Sequence, residues 1–279
     1  MIIDAHTHFY DPSRPQGIPW PKPNDKVLYR TVLPNHFKEA AAAQGVTGTV
    51  VVEASEWPED NQWLLDLAEK EPFILGVVGN LTPGAEGFAD HLARFAENPL
   101  FRGIRLRGKV VDDLENSAVS LDLEMLAIRE LELDLLVREE HLDSVTALAE
   151  MFPEMHMVIN HVGGAIIDGR DPERSWVRAM CNAAECSNVY CKVSGLASAT
   201  RREPAPTEPG FYAPTLDALW DAFGEDRLIY GSDWPVCSRY ADYASVMHVV
   251  REYFEGKGKK AAEKYFWKNS KAAYQWKKR

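Results

Sequence analysis

Eight short runs rich in apolar and β-branched residues recur along the chain, each followed by a segment with apolar residues at helical spacing. This alternation limits the folds open to it more than any other feature. The runs are IIDAHTH from Ile2, TVVVEA from Thr49, FILGVVGN from Phe73, FRGIRLR from Phe101, LDLLVR from Leu133, MVINHVG from Met157, NVYCKVSG from Asn188 and LIYGSDW from Leu228. Among the intervening segments, LPNHFKEAAAAQG carries a proline near its start and a glycine at its end, which favour helix entry and exit. TPGAEGFADHLARFAE, SLDLEMLAIRELE and HLDSVTALAEMFP show the same 3.6-residue apolar spacing.

Strands separated by helices pair in parallel through right-handed crossovers, and the closed form with eight of them is a (β/α)8 TIM barrel of the α/β class. A chain of 279 residues, 46% hydrophobic and 26% charged, has the length and apolar content for one such domain spanning residues 1–279. An open doubly wound sheet is the alternative, but no glycine-rich dinucleotide turn follows the first run; a histidine pair does. Two long connections, Tyr10 to Leu33 and Ala197 to Pro214, follow strands and are expected over the catalytic face.

The formal net charge of -11 argues against nucleic acid or an anionic membrane as partner and leaves a small molecule as the expected ligand. No signal-peptide pattern and no bilayer-length apolar run is visible, so a cytoplasmic location is expected. Cys181, Cys186, Cys191 and Cys237 lack paired close spacing and are expected to be free thiols. The composition does not fix an oligomeric state.

In a barrel, alternate residues of a strand face the interior or the helix layer. Asp4, His6 and His8 share one parity. Ile104 and Leu106 suit the helices, which sends Arg105 and Arg107 inward; Val189, Cys191 and Val193 suit them too, which sends Lys192 and Ser194 inward. Glu53, Asn80, Arg138, His161 and Asp233 then fall at or near the carboxyl ends of the other strands. All eight ends of such a barrel face one cavity, so these polar groups are expected to converge there. His6 and His8 on alternate positions have the geometry to bind one divalent ion, with His161 and Asp233 able to complete a zinc site. The alternative is that the pair only hydrogen-bonds to substrate or backbone. Trp20, Phe9, Tyr212 and Trp234 could stack on a ring or pack a lid.

The segments DAHTHF, NHVGG at Asn160–Gly164 and YGSDWP at Tyr230–Pro235, with RGIRLR and DLLVR between them, resemble the amidohydrolase superfamily in its amidohydrolase-related branch, most closely the lactonase-like group. The resemblance runs from Met1 to the final EKYFWKNSKAAY segment. It implies a barrel hydrolase in which His6 and His8 are the first-strand pair, His161 the later histidine, and Asp233 the base that deprotonates the attacking water. Arg138 stands where dinuclear members have a histidine, and no lysine suited to carboxylation ends the fourth strand. The implied cofactor is therefore one divalent ion, zinc or manganese, while some lactonases of the group use no metal.

The expected reaction is opening of a lactone, a sugar-acid lactone or a carboxylated pyrone, with Arg105 and Lys192 or His161 stabilising the oxyanion. Arg107, Arg138, Glu53, Asn80, Trp20, Tyr212 and Trp234 are the expected substrate contacts. A metal-dependent decarboxylase, an amide or ring-amide hydrolase and a non-catalytic ligand-binding barrel are the alternatives.

Overall fold

A computed structural model describes Met1–Arg279 and contains all eight runs as strands. They are β1 (Ile3–Thr7), β2 (Gly48–Val52), β3 (Ile74–Gly79), β4 (Phe101–Arg107), β5 (Glu132–Leu136), β6 (Met157–Ile159), β7 (Val189–Val193) and β8 (Leu228–Tyr230). They lie side by side in chain order and all pair in parallel. The ring closes beyond β8, where Thr7 bridges Trp234, His8 N donates to Trp234 O at 2.9 Å and Asp233 N donates to His6 O at 3.0 Å. Sequential order and closure define a (β/α)8 barrel and exclude the doubly wound sheet, whose strand order reverses.

Eight helices form the outer layer: α1 (Pro34–Ala41), α2 (Glu59–Lys70), α3 (Phe88–Ala96), α4 (Ser117–Ile128), α5 (Leu142–Met151), α6 (Arg174–Glu185), α7 (Pro209–Phe223) and α8 (Tyr243–Gly256). Pro34 sits at the start of α1, where its missing N–H is harmless, and Gly45 ends the following turn at φ 71°. α4 begins earlier than SLDLEMLAIRELE implies, because the Asn116 side chain accepts from Ala118 N, and it stops at Ile128. Glu132, expected as its end, already belongs to β5. In α6 the apolar face is Trp176, Ala179, Met180, Ala183 and Ala184, a spacing that lays one stripe on the barrel. No helix is long and apolar enough to cross a membrane.

The apolar residues divide into two cores. The larger lies between strands and helices and contains Ile104, Leu106, Val189, Cys191 and Val193, so the inward assignment of Arg105, Arg107, Lys192 and Ser194 holds. The smaller fills the lower barrel with Ile3, Ala5, Val50, Val52, Val78, Val158 and Ile229, closed below by Tyr274 and Trp276. The parity expected for β1 needs correction. Ile3 and Ala5 point inward, and Asp4 faces the helix layer, where its Oδ2 accepts from Tyr243 OH at 2.9 Å. A register shift between Asp4 and Thr7 resets the alternation and brings His6 and His8 inward. Burial pushes the Asp4 carboxyl up to about 6, against hydrogen bonds from Ser232, His6 and Tyr243.

Between floor and mouth lies a buried ion pair. Lys192 Nζ donates to Asp134 Oδ2 at 2.7 Å, both side chains are fully enclosed, and Tyr274 OH donates to Asp134 Oδ1 at 2.7 Å. Removing one partner strands the other charge, which costs about 3–5 kcal/mol. Lys192→Met should therefore lower the urea-derived unfolding free energy by about that amount. The double variant with Asp134→Asn should recover part of it, a coupling that a thermodynamic cycle measures.

Candidate active site

The carboxyl ends of the strands surround a cavity of about 450 Å³ whose wall includes His8, Trp20, Lys22, Arg105, His161 and Asp233, with Ala54, Glu56, Arg107, Leu136, Pro19 and Val236 completing it. At its base Asp233 Oδ1 lies 3.4 Å from His8 Nε2, 3.8 Å from His6 Nε2 and 4.0 Å from His161 Nε2. Backbone geometry sets this convergence. Asp233 has φ 64° and His161 φ 50°, conformations that non-glycine residues adopt only when neighbours hold them. Gly195 and Gly231 make room: a Cβ on Gly195 would stand 2.8 Å from His161 Nδ1, and one on Gly231 would stand 2.7 Å from His6 Cβ.

Each imidazole has a definable state. His8 Nδ1 faces two carbonyls, Val52 O at 2.9 Å and Glu53 O at 3.1 Å, so Nδ1 carries the hydrogen and Nε2 presents a lone pair to the cavity. His6 is buried with neither ring nitrogen hydrogen-bonded; burial, then Lys192, His161 and His8, hold it well below the usual histidine range, and it is neutral. Burial likewise lowers His161 to about 4, although Asp233 pulls it upward, and its Nδ1 shares a 2.9 Å hydrogen bond with Ser194 Oγ.

The His8 lone pair, a His6 ring whose nitrogens have no hydrogen-bond partner and the Asp233 oxygen thus meet at one point. His6, His8 and Asp233 place ligand atoms within 4.8 Å of one another, and a divalent cation satisfies such a set. His161, expected as a fourth ligand, lies just outside this group.

Arg105 reaches the cavity and is held from behind. Its Nε donates to Glu53 Oε1 at 2.8 Å and its Nη2 to Glu53 O at 2.9 Å, which leaves Nη1 without a partner in the protein. Arg107 Nη2 donates to the same Glu53 Oε1 at 3.2 Å. Glu53 is therefore an aiming group behind the arginines and not a wall of the main cavity.

Several other expected site residues are elsewhere. Lys192 is sealed below the cavity by Asp134, so a direct part in oxyanion binding does not follow from its inward parity. Arg138 is exposed past the end of β5, outside the cavity lining. Asn80 is a loop anchor, its N–H and carbonyl both bonded to the Asn61 amide and its Nδ2 to Glu56 O. Tyr212 is buried in α7 with its OH on Pro206 O at 2.7 Å. Trp234 packs outward against Phe9 and Phe37, because side chains flanking Asp233 point away from it. Trp20 does line the cavity, 6.1 Å from the His8 ring. Nothing from residues 197–214 lines the cavity; that connection packs beside it, with Ala205 N donating to Tyr240 O.

Lys22 and Glu56 were not expected. Both lie on loops, where strand parity says nothing about direction; the only available signal was that Lys22 falls in the connection assigned to the catalytic face.

Comparison with known proteins gives a consistent picture. A family model described as Amidohydrolase matches residues 3–276. The chain is 33% identical over 250 residues to an L-fucono-1,5-lactonase of Burkholderia ambifaria, covering 87% of this chain and 84% of that protein. It is 30% identical over 282 residues to an L-fucono-1,5-lactonase of Burkholderia multivorans, covering 96% and 93%. A crystal structure of an amidohydrolase from Burkholderia multivorans with bound zinc superposes with a TM-score of 0.90 at 27% identity, over 99% of this chain and 100% of that one.

Proposed function

The chain belongs to the amidohydrolase family, and from that premise we propose that it hydrolyses the ring ester of a sugar-acid lactone. The observation that carries this is the placement of Asp233 Oδ1 among three imidazole nitrogens on the wall of a cavity that Arg105 also lines.

A divalent ion would be held by His6, His8 and Asp233. Zinc suits two imidazoles and a carboxylate, and the similar Burkholderia multivorans structure holds zinc; manganese favours more oxygen ligands. When bound, the ion supplies Lewis-acid polarisation of the scissile carbonyl.

The remaining steps belong to the chain's own groups. Asp233 Oδ1 takes a proton from the water whose oxygen attacks the lactone carbonyl carbon. Arg105 Nη1 donates to the carbonyl oxygen as negative charge builds on it. Ser194 Oγ–H on His161 Nδ1 would leave His161 Nε2–H as a second donor facing the same region. The tetrahedral centre then collapses, the ring C–O bond breaks, and Asp233 returns its proton to the departing alkoxide. The product is an open hydroxy acid, which ionises at neutral pH.

The cavity wall favours a polyhydroxylated ring over a carboxylated pyrone. It carries Lys22, Arg105 and Arg107 but also Glu56, which accepts from hydroxyls and repels a carboxylate. The test is a panel of sugar-acid 1,5-lactones, a carboxylated pyrone and hydroxybenzoic acids, followed by mass analysis and carbon dioxide release, with elemental analysis of the purified protein. We expect ring-opened acid from a sugar lactone, no carbon dioxide and about one zinc per chain. Carbon dioxide from an aromatic acid without lactone opening would replace this function with a decarboxylase.

A further inference from the structure

The connection Tyr10–Leu33 supplies Trp20 and Lys22 to the cavity and is tied down at several points. Tyr10 OH donates to Leu28 O, Thr31 Oγ1 donates to Asp11 Oδ1, and Asp25 pairs with Arg239 beyond β8. The tie to α2 is made by Arg14. Its Nη1 and Nη2 donate to the two Asp60 oxygens on α2 at 2.9 and 3.0 Å, and its guanidinium lies 4.6 Å from the Trp63 ring centre.

Two enclosed atoms near this tie have no partner. Arg14 Nε is a donor without an acceptor, and Glu53 Oε2, on the carboxylate that aims Arg105, is an acceptor without a donor. Both residues line one small second cavity, about 10 Å³, together with Trp20, Ser55 and Asn61. That space is about the minimum that admits one water molecule, and a buried water normally bridges just such orphaned groups. An unpaired donor and an unpaired acceptor on the same cavity would otherwise each cost their full desolvation.

We propose that Arg14 is a positioning residue for the reaction: one enclosed water links Arg14 Nε–H to Glu53 Oε2 and so couples the Tyr10–Leu33 strap to the carboxylate that aims the Arg105 guanidinium. This rests on the role given above to Arg105 in lactone opening. The water fixes the free oxygen of Glu53 while Oε1 holds both arginines, and the carboxylate plane, and with it the direction of Arg105 Nη1, is set from the strap side. The orientation of the oxyanion donor then depends on one hydrogen-bonded chain that begins on the strap.

A high-resolution crystal structure of the unliganded protein should show one ordered water within hydrogen-bond distance of both Arg14 Nε and Glu53 Oε2. A dry cavity, or a water bonded to only one of them, overturns the proposal. Arg14→Lys keeps a cation for Asp60 and removes the Nε–H. We expect kcat for the sugar lactone to fall about tenfold with KM within about twofold and the thermal midpoint little changed. Unchanged kcat, or a change confined to KM, would make Arg14 only an anchor of the strap and also overturns it. If Arg14→Lys does not fold, the crystallographic water decides. If the wild type opens no lactone, the proposed function fails, while the water still tests the linkage because it is read without substrate.

Discussion

Asp233→Asn should fold like the parent and lose at least about 10²-fold in turnover of its lactone, the loss expected when a positioned base is removed. The amide keeps the size of the carboxylate, and the backbone bond from residue 233 N to His6 O does not involve the side chain. Thermal unfolding is therefore expected to stay near the parent value. Chemistry is affected at both ends of the reaction: the amide accepts no proton from water and has none to return to the alkoxide. Steady-state kinetics on the folded variant are the check, and near-normal kcat would remove Asp233 from the mechanism. A fall in zinc content measured alongside would show that the same oxygen also holds the ion.

The barrel was legible because its signal is periodic and repeated. Each of the eight runs is apolar or β-branched for long enough to be a buried strand, and the parity of β4 and β7 followed from which residues suit the helix layer. The histidine pair and Asp233 were legible from their place at the carboxyl ends of the first and eighth strands, which the barrel turns toward one cavity. Parity failed where the backbone leaves its regular pleat. The shift between Asp4 and Thr7 separates Asp4, which faces the helix layer, from His6 and His8, and no residue in DAHTHF announces it. Inward direction also carries no information about depth: Lys192 and Arg105 both point inward, but one is enclosed with Asp134 and the other reaches the cavity. Trp234, Tyr212 and Arg138 show a third limit. Outside the regular strands a side chain goes where packing sends it, and Trp234 found Phe9 and Phe37 while Tyr212 is buried in α7.

The charge balance of the site also came out differently from a simple count of basic residues. Four inward cations would demand an anionic ligand, since burying unpaired charge is costly. In the fold, Lys192 is matched by Asp134, Arg105 and Arg107 share Glu53, and Arg138 is exposed. The electrostatic demand is largely met within the protein. What remains for the substrate is directional: an unpartnered Nη1 on Arg105, whose other two nitrogens are fixed by the Glu53 carboxylate and carbonyl.

Arg105→Met is therefore expected to cost about 10²–10³-fold in kcat, the range for losing one oxyanion donor from an enclosed site, with a smaller change in KM. The methionine keeps most of the side-chain volume and leaves Glu53 with Arg107, which already reaches its Oε1. Some stability is lost with the buried pair, so unfolding must be measured with the kinetics. The division between kcat and KM identifies what Arg105 does. A donor that meets only the developing oxyanion acts on kcat, whereas one bound equally to a fixed carboxylate of the substrate raises KM and leaves kcat in place. Comparing neutral and acidic lactones separates the two cases, because only the acidic ones would show the KM effect. Unchanged kcat/KM on every lactone would make the Arg105–Glu53 pair purely structural, and the enclosed position of that pair at the mouth of the barrel would then serve the fold alone.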